Sequence, residues 1–154
     1  MRDCDMATTT DPGSSVRALS RFPPERLRLR DDRPPRPDGE FVVYWMVAQR
    51  RLGWNYALDR AIAWAGELGR PLVVLEALRC DYRWASDRIH RFVLEGMAEN
   101  VRRAAGKNLL YIPYVEPAPG AGKGLLRALS QRAALIVTDD FPCFFLPHML
   151  EAAT

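Results

Sequence analysis

From residue 41 onward the chain alternates between two periodicities. Phe41-Val42-Val43-Tyr44-Trp45-Met46 is an unbroken β-branched and aromatic run directly after Asp38-Gly39, the pattern of a strand covered on both faces. Leu58, Ala61, Ile62, Ala65 and Leu68 then recur at three- and four-residue steps with Gly69 behind them, which predicts an amphipathic helix and its stop. Residues 71–78 form a second buried strand. Ser86 is placed to cap a second helix, whose inner face is expected to be Ile89, Phe92, Val93, Gly96, Met97 and Val101 and whose end is expected at Gly106. A third strand covers Leu109 to Val115, and Pro113 within it removes a ladder donor, which assigns it to an edge. A short third helix from Gly122 to Arg132, a fourth strand from Ala134 to Thr138 and a last helix opened by Pro147 complete the series.

Strict alternation of strand and helix predicts an α/β fold, a Rossmann-like parallel sheet with right-handed crossovers and helices on both faces. With the third strand at an edge, the strand order is expected to be 3-2-1-4. The winding then reverses between the first and fourth strands, and ligands in such sheets sit beyond the strand C-termini at that reversal. The predicted crevice is lined by Trp45, Met46 and Val47 on one side and by Asp139, Asp140 and Phe141 on the other. The fourth strand would be an apolar, uncovered edge, which native sheets avoid. A fifth strand after the last helix is its expected cover, and the sheet reads as one strand short.

The first forty residues follow neither period. Residues 1–20 are rich in Thr, Ser and Asp, with too little apolar material to offset the entropy of ordering, and they lack the apolar core of a secretory signal. They read as a disordered tail. Residues 21–40 alternate arginines with Phe22, Leu27 and Leu29 between five prolines, which reads as an extended Arg/Pro-rich arm laid on a surface. Residues 41–154 are the α/β domain, incomplete at its C-terminal side.

Composition narrows the function classes without choosing one. No apolar run approaches the roughly 20 residues of a membrane span. Residues 1–40 carry 8 basic and 8 acidic side chains, whereas residues 41–154 carry 14 and 11, so the net charge of +3 belongs to the folded part. An excess that small permits a polyanion partner but is equally an ordinary solvated surface. Cys4, Cys80 and Cys143 are odd in number and scattered, which suggests neither a disulfide framework nor a zinc site and fits a reducing, cytoplasmic compartment.

Several motifs carry chemistry on paper. Pro119-Gly120-Ala121-Gly122-Lys123-Gly124 lies between a strand and a helix, as a phosphate-binding loop does. Pro117 stands where the first glycine belongs, however, and Gly124 replaces the hydroxyl residue that would hold magnesium, so a plain loop is the better reading. Asp139 and Asp140 pair two carboxylates, but adjacent residues at a strand end point apart, which favours loop formation and capping over acid-base chemistry. His90 and His148 share no metal spacing and read as solvent-facing or hydrogen-bonded surface residues. Cys143 reads as a small buried hydrophobe. Of Trp45, Trp54, Trp64 and Trp84, most are expected in the core.

Three separated stretches resemble one family. Arg33-Pro34-Pro35-Arg36-Pro37-Asp38-Gly39-Glu40-Phe41-Val42-Val43-Tyr44-Trp45-Met46, followed by Arg51, Asn55, Ala57 and Leu58, resembles the opening of class II cyclobutane pyrimidine dimer DNA photolyases. Arg88, His90, Arg91, Phe92, Leu94, Glu95, Gly96 and Met97 resemble that family's second helix. Val137-Thr138-Asp139-Asp140-Phe141-Pro142 resembles the exit of its fourth strand. Val47 stands where many members have a glutamine. The resemblance implies the N-terminal α/β domain of a deoxyribodipyrimidine photolyase, a DNA-repair lyase that flips a pyrimidine dimer out of DNA and splits it with light-driven electron transfer from reduced flavin. It further implies an antenna pigment, a deazaflavin or a folate, in the crevice of Trp45, Met46, Arg51, Asp139, Asp140 and Phe141. FAD would belong to a C-terminal helical domain to which no residue here corresponds, and damaged DNA would be met through that parent protein.

On this reading the chain is an antenna and scaffold domain and is not catalytic alone. The rival reading is a free-standing nucleotide-binding or regulatory α/β module, dimeric through its fourth strand. A third, an inactive remnant, predicts a chain that aggregates through its exposed edge.

Overall fold

The computed structural model of the chain describes residues 22–30 and 32–153. The tail expected over residues 1–20 lies outside the described residues. A 3-10 turn at Pro24–Arg26 precedes the alternating elements: β1 (Phe41–Met46), α1 (Tyr56–Leu68), β2 (Leu72–Leu78), α2 (Asp87–Ala104), β3 (Leu110–Val115), α3 (Leu125–Ser130), β4 (Ala133–Thr138) and α4 (Leu146–Ala153). The four strands form one parallel sheet in the order β3-β2-β1-β4, the order the sequence predicts. None of the described helices is long and apolar enough to cross a membrane.

The two faces of the sheet are filled by alternate residues of the same strands, as a pleat requires. Val42, Tyr44 and Met46 of β1 and Leu72 and Val74 of β2 pack with Leu58 and Ala61 of α1. On the other face Val43, Val73 and Ala133 gather Trp45, Ile112, Ile136 and Leu129 of α3. The side chains of β1 at positions 42, 43, 44 and 46 are wholly buried, and each of the larger ones contributes about 1.5–3 kcal/mol by leaving water. Helix ends follow local chemistry. Asn55 Oδ1 accepts from the Leu58 amide at 3.1 Å to start α1, and Gly69 at φ 61° ends it. Ser86 Oγ accepts from the Ile89 amide to start α2, the cap expected from its sequence.

Three local expectations are corrected. The third helix begins at Leu125 rather than near Gly122, because Gly124 sits at φ 85° and a left-handed residue cannot continue a helix backwards. The second helix is rotated from its predicted facing: Met97 and Asn100 are its buried residues, while Phe92 is 77% exposed and Ile89, Leu94 and Val101 are also exposed. The reason is a polar contact described below, which hydrophobic periodicity cannot register. His90 is half-buried against the ring of Tyr82, with centroids 5.6 Å apart, and is not a freely solvated surface residue.

The junction before β1 is unusually tight. Ala134 is an extra residue on β4, where the register with β1 shifts between Phe41 and Val42. The Arg36 amide donates to the Ala134 carbonyl at 2.8 Å, and the Gly39 amide closes the turn onto the Arg36 carbonyl. Gly39 lies directly on Ala134, so that a Cβ at position 39 would overlap the Ala134 backbone.

Candidate functional site at the carboxyl ends of the strands

The winding reverses between β1 and β4, and the loop of residues 47–55 folds over that point. Asp139, the first residue past β4, is buried and organises it. Its Oδ2 accepts from the successive amides of Val47, Ala48 and Gln49 at 3.0, 2.9 and 3.0 Å, and its Oδ1 accepts from the Tyr44 hydroxyl at 2.7 Å. Asn55 extends the network, its Nδ2 donating to the Tyr44 hydroxyl at 2.9 Å and to the carbonyls of Gln49 and Arg51. Burial, and next the Asp139 carboxylate, raises the Tyr44 phenol far above its ordinary range, so Tyr44 remains a donor at every pH the fold meets. Three successive amides around one oxygen form an anion cradle. Here the protein's own carboxylate fills it.

Asp140 points elsewhere, as expected for adjacent residues leaving a strand. It pairs with Arg28 at 3.0 Å and Arg30 at 3.5 Å, and so fixes part of the arm. The arm also reaches α1, where the Arg26 guanidinium stacks on Tyr56 and Phe22 lies beside Arg60. The other crevice residues are spread apart. Met46 is wholly buried in the α1 face of the core, and Trp45 points to the opposite face, half-buried. Phe141 is exposed. Arg51 is exposed and donates to the Trp54 carbonyl at 3.2 and 3.3 Å. Trp54 itself is 96% exposed, so the expectation that the tryptophans are mostly core fails for it and for the half-exposed Trp84, both of which sit in loops.

A second polar centre lies under α2. Glu76 is 1% exposed in the middle of β2. Arg50 Nε donates to its Oε1 at 2.9 Å, while Asn100 Nδ2 at 2.9 Å and the Tyr111 hydroxyl donate to its Oε2. Burial, followed by the bond to Glu76, raises the Tyr111 phenol. A buried carboxylate requires such partners, and holding Asn100 inward is what turns Phe92 outward. Sequence reading passed over Arg50, Glu76 and Asn100. The signal was available, because an acidic residue inside Leu72–Leu78, otherwise wholly apolar, calls for a buried cation.

A third carboxylate settles the glycine-rich segment. Glu116 Oε1 accepts from the amides of Gly120 at 3.0 Å and Gly122 at 3.2 Å, and Oε2 accepts from the Cys80 amide at 3.1 Å. The amides that would surround a phosphate are thus engaged by Glu116, in agreement with the plain-loop reading. Cys80, Asp81 and Glu116 bring three ligand-type atoms within 4.8 Å of one another, but Glu116 is committed to these donors and Asp81 to Arg79 at 3.0 Å. The amide of Cys80, then those of Gly122 and Gly120, hold the Glu116 carboxyl below its ordinary 4.5. A carboxyl lowered by folding stabilises the fold fully above its unfolded pKa and loses that contribution as pH falls through the lower folded value. The Gly120 and Gly122 amides are therefore expected to lose hydrogen-exchange protection below pH 4.5 before the sheet amides do. Exchange followed by NMR from pH 6 downward checks this, and protection lost together with that of the sheet would contradict it.

No protein-family model matches the chain. Over 75 residues it is 41% identical to a deoxyribodipyrimidine photo-lyase of Methanothermobacter thermautotrophicus. The matched stretch is 49% of this chain and 17% of the relative. The chain is thus a partial homologue of a photolyase and spans a small part of that protein's length.

Proposed function

We propose that the chain is the N-terminal antenna and scaffold domain of a class II photolyase-type DNA-repair protein. The observation that carries this reading is the 41% identity to a photo-lyase, set on a sheet ordered β3-β2-β1-β4. On this reading the α/β layer holds a light-collecting pigment, a folate or a deazaflavin. FAD and the splitting of cyclobutane pyrimidine dimers belong to a helical domain joined C-terminally to it, and damaged DNA is bound through the complete cytoplasmic enzyme. The present residues then contribute rigidity and light capture, and no residue among them is assigned to electron transfer.

Absorbance and fluorescence of the chain mixed in turn with a folate, a deazaflavin and FAD test the antenna half. A bathochromic shift with one of the first two and none with FAD is expected. The repair half is tested on the full-length protein carrying this domain, which is expected to split dimers only in light. A protein that binds no pigment and repairs no dimer refutes the reading. One observation favours the rival: among the described residues, β4 pairs with β1 on one side and with no strand on the other. A symmetric dimer in sedimentation, with bound adenine nucleotide and no pigment, would establish that rival instead.

A further inference from the structure

We propose that the arm, from Arg28 to Arg36, is a displaceable guard on the free edge of β4, and that lifting it lets β4 pair antiparallel with β4 of a second copy of the chain.

The arm is pinned at both ends of β4 and runs in step with it. The Arg36 amide donates to the Ala134 carbonyl at 2.8 Å, and Arg30 pairs with Asp140, so positions 36 to 30 of the arm lie against positions 134 to 140 of the strand. Six residues of extended chain cover about 20 Å, which leaves little slack beyond the length of one arginine side chain. Arg28 reaches the same carboxylate at 3.0 Å, while Leu29 between the two arginines is 74% exposed, the alternation of an extended segment. The other sides of β4 are taken. β1 lies along one edge, Leu135 and Val137 pack on the α1 face, and Ile136 gathers with Leu129 of α3 on the other. The arm therefore follows the edge that the sheet leaves open.

Its two attachments differ in strength. At one end the Arg36 guanidinium also holds the Gln131 carbonyl at 2.6 Å. At the other the arm rests on surface ion pairs, with the Arg28 side chain 71% exposed, and such pairs are weak and screened by salt. Further upstream Arg26 stacks on Tyr56, a contact with α1 that leaves the edge itself untouched. Among the described residues the arm gives β4 a single backbone bond. Pro34, Pro35 and Pro37 have no amide to donate, so the arm covers one edge without offering another.

The strand beneath suits a copy of itself. Ala133-Ala134-Leu135-Ile136-Val137-Thr138 carries neither charge nor proline, the composition of an edge prone to pairing. In an antiparallel pair centred on Ile136, Arg132 of each copy stands opposite Asp140 of the other, an attractive pair at both ends. A two-fold axis closes that contact. Asp140 is also the residue that the arm occupies, so guard and second copy compete for one carboxylate.

Sedimentation velocity of the full chain over a concentration series, combined with hydrogen exchange read by mass spectrometry, tests this. Arg28→Glu/Arg30→Glu is expected to keep a cooperative melt and to dimerise at least about tenfold more tightly than the parent, with β4 amides gaining protection as concentration rises. Adding Asp140→Lys restores an attractive anchor for the arm and sets like charge against Arg132 of the second copy, and is expected to return the chain to a monomer. A parent that dimerises as tightly as the double variant overturns the guard, as does a double variant that stays monomeric or no longer folds. Protection of β4 in a monomeric double variant would mean that another segment of the same chain takes the edge. A dimer without added protection in β4 places the contact elsewhere, and a triple variant that stays dimeric refutes the competition for Asp140; each overturns the proposal.

Discussion

Replacing Asp139 by alanine is expected to lower the melting temperature by on the order of 10 °C. The carboxylate receives four hydrogen bonds, three of them from amides of one loop and one from a wholly buried tyrosine. Bonds to a charged group contribute roughly 1.5–3 kcal/mol each when taken singly, and donors left without a partner add a desolvation penalty. Such terms do not add within one network, and water reaches part of the loop once it opens, so a loss of about 3–5 kcal/mol is the realistic sum. Asp139→Asn keeps one acceptor oxygen but turns an NH2 group toward N–H groups or toward Tyr44, and is expected to lose more than half as much. Tyr44→Phe removes a single donor and sets the lower mark at about 1 kcal/mol. Thermal melts followed by circular dichroism order the three. An Asp139→Ala midpoint within about 2 °C of the parent would show that the loop is not held this way.

Gly39→Ala is the second large effect. The added methyl would overlap the Cα and N of Ala134, atoms fixed by the β1–β4 ladder and by the Arg36 amide. Neither neighbour is the movable end of a side chain, so relief requires the strand itself to shift, and a loss of at least about 3 kcal/mol is expected, at the upper end of overpacking effects. The same substitution at Gly96 has the opposite expected sign, a gain of roughly 0.5–1 kcal/mol, because the site is open and helical. Urea unfolding of the two variants side by side checks this. Equal destabilisation would mean that glycine acts at both positions through the backbone alone.

The parts of the fold that could be read from the sequence are those decided by apolar spacing. Phe41–Met46 and Leu72–Leu78 are buried on both faces and therefore appear as continuous runs, and Pro113 marks an edge because a proline cannot donate to a ladder. From those marks the strand order follows. The orientation of α2 could not be read that way, because it is set by one amide, Asn100, reaching a carboxylate on a neighbouring strand. Apolar periodicity placed Phe92 inward; the buried polar contact places it outward. The candidate site divides similarly. That Asp139 and Asp140 part company was legible from strand geometry, and so was the failure of the glycine-rich segment as a phosphate loop. That Asp139 would occupy the amides of residues 47–49, or Glu116 those of Gly120 and Gly122, was not, because both depend on loop backbone that only the folded chain brings into reach.

The contacts of Asp139 also constrain the order of assembly. Its partners lie 90 to 95 positions earlier in the chain, and β4 joins the sheet beside β1, not beside β3, which precedes it in sequence. Closing a loop of that length is entropically costly and returns nothing until β4 docks. During synthesis β1 therefore waits with one edge unpaired and its following amides without an acceptor, while β2 and β3 are already able to form. The step that seats β4 completes the strand ladder, the 47–55 loop and the anchoring of Arg28 and Arg30 together. Disturbances there should accordingly appear as slower refolding of the whole domain, a kinetic signature distinct from that of any substitution in α2.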